Sequence, residues 1–203
     1  MGDCPFYIKP LQTGCWDPYD TDSDSKLIYR NVKELKGKDP ADSVIYYFKN
    51  PKAPYFAARD EGRETDIDIR AIQEFVDQKS QDFNPLVIEG AGGLLVPVDQ
   101  NLLMIDLIKA TTAKPVVAAR AGLGTINHTL LTLEALHKRD LRPEGIVLMD
   151  SGAAPTSQDM IDENIEAIET ASGIDVAGVI GRISDISDSG RVYDPVLERI
   201  LGE

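Results

Sequence analysis

Cysteine, histidine, long apolar runs and excess positive charge are all scarce in this sequence, and each scarcity closes off a class of protein. Cys4 and Cys15 are the only cysteines in 203 residues. They build no disulfide framework and lack the spacing of a metal site, so both are expected as reduced thiols. Two histidines offer no convincing partner for a serine or cysteine nucleophile. No apolar stretch approaches the roughly 20 residues that span a bilayer. The start also lacks the basic-then-apolar layout of a secretory signal. The expectation is therefore a cytoplasmic protein without a membrane partner. Lysine and arginine number 21 against 34 aspartates and glutamates, a net charge of −13. Such a surface disfavours nucleic acid and anionic lipid, yet leaves small anionic ligands open, because backbone amides and one lysine outweigh net charge locally.

What is present is the alternation of an α/β protein. Short apolar runs bounded by turn residues predict strands at Pro5–Lys9, Ser43–Phe48, Leu86–Glu89, Pro115–Ala119, Gly145–Met149 and Val176–Ile180. Four are continuously apolar, as parallel strands covered on both faces are. Helical spacing predicts helices over Asp66–Gln78, Leu102–Ala110, Thr125–Arg139 and Gln158–Ala171, with Ser157 as the N-cap of the last. A weaker amphipathic pattern covers Asp24–Lys36. Residues Lys49–Glu64 read as a loop with one helical turn at "PYFAARDEG". Without a repeat, low-complexity tract or linker, residues 1–203 are expected to form one α/β domain.

Three stretches carry chemistry. In "VIEGAGGLLVPV", residues 87–98, an apolar strand ends in Glu89 and runs into Gly90-Ala91-Gly92-Gly93. A carboxylate at the carboxyl end of a parallel strand lies where open α/β sheets bind ligands, and glycines let backbone approach an anion closely. In "RAGLGTINHTLLTLEAL", residues 120–136, Gly122, Gly124, Thr125 and Asn127 precede or open a helix whose first amides suit an anion. In "FYIKPLQTG", Lys9 ends a strand, and Thr13-Gly14 follow. The acidic run Asp17–Ser25 reads mostly as a solvated loop with a helix cap, and one of its aspartates is a candidate to complete a sparse divalent-metal site with Glu89.

Together, "KPLQTG", "EGAGGLLVPV", "AGLGTINHTLLTLEAL" and "GIVLMDSG" closely resemble dethiobiotin synthetases, in order and spacing, over nearly the whole chain. The resemblance implies a P-loop NTPase-like fold, a mostly parallel sheet with helices on both faces, in a homodimer. It implies a carbon–nitrogen ligase of biotin biosynthesis that closes the ureido ring of 7,8-diaminopelargonate with CO₂, using ATP and Mg²⁺. It places Lys9 at the carbamate and transferred phosphoryl group, and Thr13 beside the diamine. Glu89 becomes a ligand of Mg²⁺ on the nucleotide side, with Asp24 of "Ser23-Asp24-Ser25", rather than Asp22, as the second. Gly90, Gly92 and Gly93 line the carbamate. Gly124, Thr125, Ile126 and Asn127 receive the substrate carboxylate across the dimer interface, and Asp150 falls at the nucleotide.

The sequence departs from the family at two points. No G-x-x-x-x-G-K-[ST] motif occurs: the only Gly-Lys is Gly37-Lys38, with Asp39 after it and Val32 where the first glycine belongs. The family's first strand, phosphate loop and helix, roughly 30 residues, are expected to be absent, leaving unpaired strand backbone. Met149 stands where the family often has the asparagine that reads adenine. The alternative reading is a non-catalytic relative that keeps the substrate pocket and dimer surface without binding ATP.

Overall fold

The computed structural model describes residues 4–152, 154–183 and 190–201. The chain forms two compact units, residues 1–113 and 114–203.

The first unit is built on two pairs of parallel strands. Strand β1 (Phe6–Ile8) pairs with β4 (Leu86–Ile88), with Tyr7 opposite Val87. Strand β2 (Leu11–Thr13) pairs with β3 (Tyr46–Phe48), with Gln12 opposite Tyr47. The residues read as a loop after Lys9 are thus a second strand. Pro10 has no N–H to donate, so the pairing of β1 stops there and the chain restarts beside β3, whose Tyr46 amide donates to the Pro10 carbonyl.

Helix α1 (Asp24–Asn31) is shorter than its pattern suggests, since a separate 3₁₀ turn takes Lys33–Leu35. The Ser43 end of the expected third strand is likewise the close of a 3₁₀ turn, Pro40–Ser43. The expected single turn at "PYFAARDEG" is a full helix, α2 (Pro54–Asp60), with Pro54 in the first turn, where the missing N–H is harmless. Helix α3 (Ile69–Asp82) begins three residues later than expected because Asp68 caps it, accepting from the Arg70 amide. Helix α4 (Met104–Ala110) closes the unit. The core gathers Phe6, Ile8, Leu11, Phe48, Ile72 and Val76. Phe6 stacks on Phe83 at 4.3 Å and meets Tyr29 edge-on.

The second unit is a three-stranded parallel sheet, β5 (Val116–Arg120), β6 (Gly145–Met149) and β7 (Val176–Ile180), in that order. Helices α5 (Thr125–His137) and α6 (Gln158–Ser172) are the crossovers, and α7 (Gly190–Leu201) follows β7. Ser157 stands at the N-cap of α6 but its side chain makes no capping bond. Ile146, Leu148, Leu136 and Ile168 are fully buried.

Continuous apolar runs led to the expectation of strands covered on both faces. In β4 and β5 the alternate residues Val87 and Val116 are instead 54% and 47% exposed. Among the described residues β4 bonds to β1 alone and β5 to β6 alone. Each is an edge strand of its own sheet among the described residues.

Candidate active site

In the first unit, parallel pairing brings the carboxyl ends of β1 and β4 side by side. The Glu89 amide donates to the Ile8 carbonyl at 2.9 Å, so Glu89 and Lys9 leave adjacent strand ends together. The Lys9 amide is held by the Ser43 carbonyl. Its ammonium donates to Glu89 Oε1 at 2.7 Å and to Asp24 Oδ2. Asp24 reaches this point as the first residue of α1, placed there by Ser23, a buried N-cap accepting from the Lys26 amide. Lys9, Glu89 and Asp24, all expected from sequence, therefore meet.

The Lys9 side chain is 9% exposed, whereas those of Asp24 and Glu89 are 42% and 45% exposed. Burial acts to lower the lysine pKa, but hydrogen bonds and charge from the two carboxylates outweigh it and hold the ammonium above its ordinary value. Lys9 is a fixed cation facing outward through two acids. Among the described residues, no group of three or more histidine, cysteine, aspartate or glutamate side chains is placed to hold a metal. Two half-exposed carboxylates, Glu89 at a strand end and Asp24 at a helix start, fit Mg²⁺, which takes one or two protein carboxylates and fills its octahedron with phosphate oxygens and water.

Sequence reasoning missed Tyr7. It lies two residues before Lys9, on the same face of the strand, and its hydroxyl donates to Glu89 Oε2 at 2.7 Å. Burial first, then the bond to Glu89, push its phenol well above the ordinary tyrosine range. That period of two was the signal available.

The glycine loop after Glu89 has mixed causes. At Gly90 an added Cβ would meet Met104 Sδ at 3.2 Å, and Gly92 adopts φ +84°. Packing and backbone conformation account for both. Gly93 has neither constraint, with nothing within 4 Å of an added Cβ, so open space lies beside that backbone. Thr13 ends β2, half-buried, just before Gly14, whose amide donates to the Phe48 carbonyl. Cys15 is buried, and desolvation together with Asp20, Asp17 and Asp24 pushes its thiol up to about 11, which leaves it protonated and unsuited to nucleophilic work.

The second unit holds its strand-end loops with other chemistry. Gly124, in the left-handed region, caps α5, and Thr125 is buried with its hydroxyl against that of Thr129 at 3.3 Å. Ile126 is half-buried and Asn127 exposed, so the helix opens toward solvent. Asp150, at the end of β6, accepts from the Thr156 amide and, at 2.8 Å, from the Thr156 hydroxyl. Its carboxylate closes the 150–156 loop. Asn164 of α6 donates to the Ala121 carbonyl at 2.8 Å, fixing the end of β5.

Parallel α/β units with a cation, acids and glycine-rich turns at the carboxyl ends of their strands define a nucleotide-handling class, and the family model described as an AAA domain matches residues 5–189. Relatives narrow this. The ATP-dependent dethiobiotin synthetase BioD of Hydrogenobaculum sp. is 40% identical over 170 residues, covering 78% of this chain and 72% of that protein. The enzyme of the same name from Paramagnetospirillum magneticum is 37% identical, over 86% of this chain and 74% of its own length. The biotin biosynthesis bifunctional protein BioCD of Bordetella avium is 38% identical over 92% of this chain and 36% of that longer protein. The chain belongs to the dethiobiotin synthetase family.

Proposed function

We propose that this protein is an ATP-dependent ligase that closes the ureido ring of dethiobiotin from 7,8-diaminopelargonate and CO₂, as a homodimer in the cytoplasm whose two units act as one domain. The observation that carries this reading is the buried Lys9 ammonium between Asp24 and Glu89 at the ends of adjacent parallel strands.

The reaction needs a carbamate on one amine to be made electrophilic by phosphoryl transfer before the second amine attacks. Positioning and charge neutralisation supply most of that acceleration. Lys9, kept protonated by its two acids, balances the negative charge of carbamate and phosphoryl group. Thr13 contacts the diamine from the end of β2. The backbone of Gly90, Gly92 and Gly93 lines the carbamate, with the open face at Gly93 as its point of closest approach. Asp24 and Glu89 would hold Mg²⁺, which supplies charge stabilisation to the transferring phosphoryl group. Gly124, Thr125, Ile126 and Asn127 orient the substrate carboxylate at the start of α5, from the neighbouring subunit. Asp150, through its hold on Thr156, frames the loop on the nucleotide side. The 203 residues contain no G-x-x-x-x-G-K-[ST] phosphate cradle.

The test is incorporation of labelled CO₂ into acid-stable product by the full-length protein with diaminopelargonate, ATP and Mg²⁺. One labelled carbon per ADP released is expected. ATP-independent incorporation, or none, contradicts the proposal.

A further inference from the structure

We propose that Tyr7 is a positioning residue that holds the Glu89 carboxylate in its metal-binding orientation. This rests on the reading of Glu89 as a Mg²⁺ ligand. Both oxygens of Glu89 are engaged from one strand face: Oε1 by the Lys9 ammonium and Oε2 by the Tyr7 hydroxyl, each at 2.7 Å. Two donors two residues apart, Tyr7 on β1 and Lys9 just past its end, thereby hold both oxygens of a side chain that is 45% exposed.

Tyr7 is itself well anchored. It is 6% exposed, its backbone opposes Val87 in the parallel ladder, and its carbonyl accepts from the buried Ser43 hydroxyl. Ser43 is in turn bonded to the Tyr29 hydroxyl of α1 at 2.8 Å. The same network thus ties the strand that bears Tyr7 and Lys9 to the helix that begins with Asp24. A hydroxyl carried into the interior on an aromatic ring requires a partner, and the partner here is the carboxylate, not a backbone group. Outer-shell donors of this kind to a ligating carboxylate are worth about 10–100-fold in metal affinity.

The experiment is direct Mn²⁺ binding to the full chain, followed by electron paramagnetic resonance, in wild type, Tyr7→Phe, Glu89→Gln and the double variant. Tyr7→Phe keeps the packed ring and is expected to weaken Mn²⁺ binding by about 10–100-fold with an unchanged thermal midpoint. In the Glu89→Gln background the same change is expected to alter affinity by less than about twofold, because its target is gone. Should Tyr7→Phe fail to fold, 3,5-difluorotyrosine at position 7 retains packing while altering the donor, and a shift in affinity is again expected. Weakening by Glu89→Gln without weakening by Tyr7→Phe, or loss of stability without loss of affinity, overturns the role of Tyr7 alone. Unchanged binding in Glu89→Gln overturns the metal reading beneath it, and this proposal with it.

Discussion

The two units organise the ends of their strands by opposite means. At the ends of β1 and β4 the first unit places three charged groups, one buried cation and two half-exposed acids, with Tyr7 and Ser23 set to orient them. At the ends of β5 and β6 the second unit uses amide and hydroxyl bonds: Asn164 to Ala121, Thr125 to Thr129, and the Thr156 amide and hydroxyl to Asp150. Ordinary hydrogen bonds shape loops at modest net energy, whereas a buried cation between half-exposed acids is a weak source of stability and a strong source of field. The division suits a protein in which one region neutralises reacting charge and the other orients a substrate. Stability and activity should therefore respond to different residues.

The largest stability effect is expected in the apolar sheet. Leu148→Ala, at a fully buried position in the middle strand of the second unit, should lower the unfolding free energy by about 2–5 kcal/mol in denaturant titrations. Asn164→Ala should lower it by about 1–3 kcal/mol, since it orphans the Ala121 carbonyl. Amide exchange at the end of β5 should rise with it. Lys9→Met is expected to change stability least, by about 1 kcal/mol or less. Methionine replaces the buried stem, and both acids left behind have water at hand. A loss of several kcal/mol in Lys9→Met would erase the contrast between the units.

Legibility from sequence followed the same physical lines. Strands β6 and β7 and the starts of α5 and α6 stand where the apolar runs and their punctuation put them. Strand β2 was hidden because three residues carry no usable period and Pro10 disguises its start. Helix α2 was expected only as a single turn because prolines and charges surround it, although Pro54 in its first turn was a valid start signal for a longer helix. Helix α7 escaped because Pro195 lies inside it. In the site, the residue pattern singled out Lys9 and Glu89, the family resemblance added Asp24, and the fold brings the three together. Tyr7 was passed over because an aromatic in a strand reads as core, and only pairing with β4 reveals where its hydroxyl ends.

The charge cluster of the first unit, on the function proposed above, works on the reaction rather than on the fold. The most direct measurement is the turnover of diaminopelargonate to dethiobiotin by full-length Lys9→Met beside wild type, with thermal midpoints recorded on the same samples. Loss of a preorganised charge at the reacting group predicts a fall in kcat of about 10²–10³-fold at nearly unchanged midpoint. Turnover within about twofold of wild type, by a folded variant, would contradict a catalytic role for Lys9.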